Sequence, residues 1–159
     1  MFFFLLFILG KNNVIFSASL DGTVRAYDTT RYRNFRTFTS PRPAQFSSLA
    51  VDVSGDLVAS GATDVYEVFL WSVATGHLLE VISGHEGPVS CLAFNPSPAS
   101  GASQLATASW DKTLKIWDAL SASSSTTETI EVIFEYLPPV PNFQKLKKKL
   151  SPLLIEPDK

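Results

Sequence analysis

Chemistry in this 159-residue sequence would have to start from few side chains. They are His85, set among serines and acids, the aspartates Asp21, Asp64 and Asp111, and the single Cys91. A histidine with a serine and an aspartate suits nucleophilic catalysis. Aspartates gathered on one loop suit a hard cation, and a cysteine suits thiolate chemistry. The spacing argues against all three. The aspartates lie 43 and 47 residues apart (64−21, 111−64), and none has a second ligand at i+2 or i+4. There is no Walker-A loop, no Gly-x-Ser-x-Gly and no His-Glu-x-x-His. One cysteine makes neither an internal disulfide nor a metal cluster. Cys91 alternates into an apolar strand and reads as a small core residue. His77 follows the Thr75-Gly76 turn and reads as exposed. The expectation is a chain with no catalytic residue, no cofactor, no metal and no small-molecule substrate.

The elements that hold those aspartates are hairpins. Three segments share one pattern: Ser17-Ala-Ser-Leu-Asp21-Gly-Thr-Val-Arg-Ala-Tyr27-Asp28, Ser60-Gly-Ala-Thr-Asp64-Val-Tyr-Glu-Val-Phe-Leu-Trp71-Ser72 and Thr107-Ala-Ser-Trp-Asp111-Lys-Thr-Leu-Lys-Ile-Trp117-Asp118. In each, a β-rich run leads into an aspartate turn and out into a second run. Further strands are expected at 35–39, 46–53, 78–82 and 89–94. Ser40-Pro-Arg-Pro43, Ser54-Gly55-Asp56 and Ser83-Gly84-His85-Glu86-Gly87-Pro88 punctuate them. Short strands at regular intervals, with no sustained helical period, indicate an all-β fold.

The ends differ from the middle. Met1–Leu9 is uncharged and apolar, but nine residues are too few to span a bilayer, which needs about 20. It also lacks the flanks of a secretory signal. Residues 1–13 are therefore read as an apolar extension, not a membrane span, and no membrane partner is expected. Residues 14–136 form the repeat region. Within it, Ala119–Thr127 reads as a Ser/Thr-rich linker and Ile130–Tyr136 as a strand in the outer-edge slot of the third repeat. Residues 137–159, rich in proline and lysine, read as a disordered tail.

The 43- and 47-residue period and the ending Ile116-Trp117-Asp118 resemble WD40 repeats, one propeller blade each. A propeller needs roughly four to eight blades. Two and a half to three are expected here, so the resemblance implies a partial WD40 β-propeller whose ring does not close within this chain. The WD40 pattern also implies a buried polar relay. In the third repeat it falls on His85, Thr107, Asp111 and Trp117. The first repeat keeps Ser17 and Asp21 but has Tyr27 in place of Trp. The second keeps Ser60, Asp64 and Trp71 and has Arg42 near the missing histidine. Under this pattern His85 is structural.

A narrower resemblance rests on Arg31-Tyr-Arg-Asn-Phe-Arg-Thr-Phe-Thr-Ser-Pro-Arg-Pro43, Gly84-His-Glu-Gly-Pro-Val89 and Ala108-Ser-Trp-Asp-Lys-Thr-Leu-Lys-Ile-Trp-Asp118. Together with the first repeat, these resemble the periodic tryptophan protein 2 family. That resemblance implies a nucleolar, non-catalytic scaffold of the small-subunit processome, associated with the U3 small nucleolar ribonucleoprotein. It implies a role in pre-18S rRNA processing and small ribosomal subunit biogenesis. Partners would be other processome proteins, with U3 RNA and pre-ribosomal RNA as candidate contacts. Two alternatives remain: another WD40 adaptor, such as a ubiquitin-ligase substrate receptor, or a truncated product with no independent function.

Charge singles out one surface. The net charge is only −2, which predicts no strong attraction to nucleic acid. Yet Arg25 to Arg42 holds five arginines and one acid, whereas Pro43 to Asp111 holds seven acids and no Lys or Arg. Arg31, Tyr32, Arg33, Phe35 and Arg36 interleave guanidinium groups with aromatic rings. They are the candidate contact for RNA or an acidic protein. The simpler reading is an outer strand whose charges discourage aggregation. Trp110, beside the third turn aspartate, is either a partner contact or a packed loop aromatic.

Overall fold

Alternating apolar and polar residues build this molecule as a row of small antiparallel sheets. A computed structural model describes residues 4–9, 13–96, 103–119 and 126–131. Its strands are β1 (Phe4–Leu9), β2 (Val14–Ser19), β3 (Thr23–Asp28), β4 (Arg33–Thr39), β5 (Phe46–Val51), β6 (Leu57–Ala62), β7 (Val68–Ser72), β8 (Leu78–Ile82), β9 (Val89–Phe94), β10 (Gln104–Ser109), β11 (Thr113–Asp118) and β12 (Thr126–Glu131). They make three four-stranded sheets, β1-β2-β3-β4, β5-β6-β7-β8 and β9-β10-β11-β12, each an up-and-down meander. No helix occurs among the described residues. This is the partial propeller expected from the repeats: three blades and an arc that stays open.

The first blade has a different boundary from the expected one. Phe4–Leu9 is not an appendage. It pairs antiparallel with β2 along its length, from Phe4↔Ser19 to Leu9↔Val14. An apolar hexapeptide meets the requirements of a blade's first strand as well as those of an anchor. The third blade closes with Thr126–Glu131, four residues earlier than the expected strand at 130–136 and partly inside the expected linker. Residues 137–159 lie outside the described residues.

The core sits between blades, not within them. Phe16, Ala18, Val24, Ala26 and Phe38 of the first blade pack on Phe46, Val58, Phe69 and Trp71 of the second. Its centre is aromatic: Trp71 lies 6.0 Å from Phe38, 5.5 Å from Phe46 edge-on and 5.9 Å from Phe69. On its other face the second blade sets Ala50, Leu57, Ala59, Val68 and Leu70 against Val89, Leu92, Leu105 and Trp117 of the third. Every residue of β6 is therefore buried. Each strand side must serve a different neighbour, which is why a repeat of this kind depends on the blades beside it.

Candidate functional site

The hairpin turn of the third blade gathers four polar side chains that are far apart in sequence. His85 is presented by the loop before β9, Thr107 by β10, Asp111 by the β10–β11 turn and Trp117 by β11. The Trp117 indole N–H donates to Thr107 Oγ1 at 2.8 Å. Thr107 Oγ1 lies 2.7 Å from His85 Nε2, and His85 Nδ1 lies 2.8 Å from Asp111 Oδ2. With the carboxylate as acceptor, Nδ1 carries the proton and Nε2 accepts from the threonine hydroxyl. His85, Thr107 and Trp117 are all buried. Each member satisfies the next, so none is left to attack a substrate. No group of three or more His, Cys, Asp or Glu among the described residues could hold a metal ion.

Asp111 anchors the turn as well as the relay. Burial raises its pKa, but the bonds it accepts outweigh this and hold the carboxyl well below its usual range. Those bonds come from the Thr113 hydroxyl, the Glu86 N–H, His85 and the Thr113 N–H. The Thr113 and Glu86 contributions were not foreseen from sequence; a threonine two residues after a turn aspartate is the local signal for the first, and the second, 25 residues distant, has none. The loop needs its glycines too. Gly84 has φ of 146°, and a Cβ there would meet the Trp117 ring at 3.1 Å. A Cβ on Gly87 would meet the Asp111 backbone N at 2.9 Å.

The other two blades share the turn but not the relay. Asp21 repeats the capping of Thr23, and the Thr23 hydroxyl is the main group holding its pKa down. Its second oxygen receives Arg25 at 3.3 Å, where Asp111 receives His85. Ser17 is buried, and Tyr27 is half-buried on β3. In the second blade Asp64 accepts from the backbone N–H of Gln45 and of Val65. The Ser60 hydroxyl donates to the Ser48 carbonyl at 2.7 Å, and the Trp71 indole donates to the Thr39 carbonyl of the first blade at 3.2 Å. Without a histidine, the serine and tryptophan turn to backbone acceptors. Arg42, at the histidine's place, pairs with Glu67, whose other oxygen takes Ser83 at 3.1 Å. That bridge across two loops was not anticipated.

The arginine-aromatic stretch divides on the surface. Arg36 does not face outward to a partner. Its Nη2 donates to the Ala74 carbonyl at 2.8 Å and its Nη1 to the Thr75 carbonyl at 3.1 Å, tying β4 to the β7–β8 turn of the next blade. Arg31, Tyr32, Arg33 and Phe35 are exposed. Trp110 is 75% exposed, so it does not pack into its loop. Cys91 is also exposed, and its register partner Ala108 is half-buried. The expectation that Cys91 is a small core residue is therefore corrected: it lies on a face of β9 that no blade among the described residues covers.

Comparison with known proteins agrees with this architecture. The family model for "WD domain, G-beta repeat" matches residues 76–118. The chain is 58% identical over 114 residues to the periodic tryptophan protein 2 homolog of Mus musculus, which covers 72% of this chain and 12% of that protein. It is 53% identical over 107 residues to periodic tryptophan protein 2 of Saccharomyces cerevisiae, covering 67% of the chain and 11% of that protein. The chain thus spans about one eighth of the length of these relatives. Among solved structures, U3-55K superposes with a TM-score of 0.68 at 25% identity, covering 79% of this chain and 38% of that one. The RRP9 WD40 repeats give 0.68 at 26% identity, covering 79% and 37%.

Proposed function

We propose that this chain, a WD40 segment similar to periodic tryptophan protein 2 over 72% of its length, acts as a non-catalytic scaffold of the small-subunit processome. In this reading it serves pre-18S rRNA processing and small ribosomal subunit biogenesis in the nucleolus. Its partners are other processome proteins, with U3 RNA and pre-ribosomal RNA as further contacts. The observation that carries the reading is the 53–59% identity to periodic tryptophan proteins of mouse and two yeasts, about twice the 25–26% to the superposable propellers. The relay supports a scaffold and not an enzyme, because its histidine is enclosed by its own partners.

Affinity purification of the tagged protein from growing cells tests this. Recovery of U3 RNA and processome proteins is the expected result. Recovery of a ubiquitin-ligase core without U3 RNA would replace it with the adaptor reading.

A further inference from the structure

Two successive blades build the same outer turn with opposite kinds of residue. In the second blade the turn after β7 is closed by Ser72, whose hydroxyl caps Thr75, and passes through Gly76 at φ of 80°. In the first blade the turn after β3 is closed by Asp28, which accepts from Thr30 and Arg31 N–H, and passes through Tyr32 at φ of 50°. Both positions lie four residues beyond their capping residue (32−28, 76−72). Glycine adopts this backbone freely, whereas a bulky side chain is disfavoured there. Tyr32 gains nothing by packing in return, because it is 93% exposed. Backbone strain with no internal compensation points to an external role for the ring.

Its surroundings define that role. Arg31 and Arg33 flank the ring. The Arg31 side chain is 69% exposed, with Asp28 as a distant partner at 3.8 Å. The Arg33 guanidinium has no partner among the described residues. A bulge in β4, where Ala26↔Arg36 is followed by Tyr27↔Asn34, leaves Phe35 unpaired and exposed beside them. Arg36, by contrast, is engaged with the neighbouring turn, which brings exposed His77 to the same end of the molecule. Among the described residues β4 has β3 on one side and no strand on the other, so its outer backbone edge can accept an extended chain.

We propose that the β3–β4 turn and the outer edge of β4 dock an acidic, extended segment of a partner protein, with Tyr32 as the anchor and Arg31 and Arg33 pairing its carboxylates. Tyrosine and arginine together are the side chains that dominate protein hot spots. A nucleic acid fits less well: two exposed guanidiniums, one of them near Asp28, on a chain of net charge −2 provide little of the field that a polyphosphate requires. This inference stands apart from the processome reading, since any partner with such a segment would satisfy it.

Fluorescence anisotropy with the whole chain tests it, using a labelled Glu-Val repeat peptide and an oligouridine of equal length. The peptide should bind. Tyr32→Gly, and separately Arg31→Glu with Arg33→Glu, should each weaken binding by at least about tenfold. The melting temperature of Tyr32→Gly should match or exceed that of the parent, because glycine relieves the backbone. Unchanged peptide affinity in Tyr32→Gly, or a lowered melting temperature, would overturn the proposal. Tighter binding of oligouridine would assign the site to nucleic acid instead, and binding of neither probe would dismiss it.

Discussion

His85 Nδ1 and Asp111 Oδ2 lie 2.8 Å apart, joining a loop before β9 to a turn 26 residues later. The bond closes a relay that begins at the Trp117 indole, and the relay holds the third blade's hairpin against its entry loop.

Removing one member should leave its neighbours unsatisfied. His85→Ala removes one partner from Thr107 and one from Asp111, which keeps its bonds from Thr113 and Glu86, and should destabilise the chain by about 1–3 kcal/mol, the range for one stranded group. Trp117→Phe loses the N–H and part of the buried ring and should cost about 2–4 kcal/mol, from the lost donor and the cavity together. Urea unfolding followed by tryptophan fluorescence measures both. A cycle with Thr107→Val should show strong coupling, and additive losses would disprove the relay as a unit.

The turn carboxylates make stability depend on acid. Asp111, Asp21 and Asp28 have pKa values below their ordinary 3.8. A depressed folded-state pKa contributes stability above the unfolded value and loses it as pH falls through the folded one. The melting temperature should therefore hold above pH about 4 and drop below it. Asp111→Asn should flatten that drop. An equally steep loss in Asp111→Asn would show that Asp111 is not responsible.

Gly61 lies where the second blade packs against Val89 of the third. An added Cβ would lie 2.5 Å from Ser48 Oγ and 2.7 Å from Val89 Cγ1. Gly61→Ala should cost about 1–3 kcal/mol by overpacking. Differential unfolding with a Val89→Ala partner checks the cause, since the smaller valine site should restore part of the loss.

The far face of the third blade should make the chain associate with itself. Cys91 and Ala93 are exposed there, and Ala106, Ala108, Leu114 and Ile116 are only half-buried. Their register equivalents in the second blade, Ala50, Ala59, Val68 and Leu70, are covered by a neighbour. Sedimentation should show concentration-dependent association that Leu114→Lys reduces. A sharp, reversible unfolding transition of a dilute monomer would contradict it.

Much of this was legible in residue order. The turns at Asp21 and Asp111 follow from an aspartate two residues before a threonine, a local bond that needs no other part of the chain. The blade period and the all-β class also follow from spacing, because each repeat solves the same packing problem, whereas the residues of the third relay come from the resemblance to WD40 repeats. Phe4–Leu9 was less legible. An isolated apolar hexapeptide looks alike as anchor and as a blade's first strand, and only its pairing with β2 distinguishes them.

Only the tertiary structure assigned the remaining partners. Trp71 and Trp117 occupy the same place in their repeats, yet one indole donates to a carbonyl of the preceding blade and the other to its own threonine. Arg33 and Arg36 lie three residues apart in one basic run, yet one is exposed to solvent and the other clasps two carbonyls of the next blade. Spacing along the chain determines which face a side chain takes. Which acceptor it meets depends on how two sheets approach across their shared core, and that distance is not encoded in any single repeat.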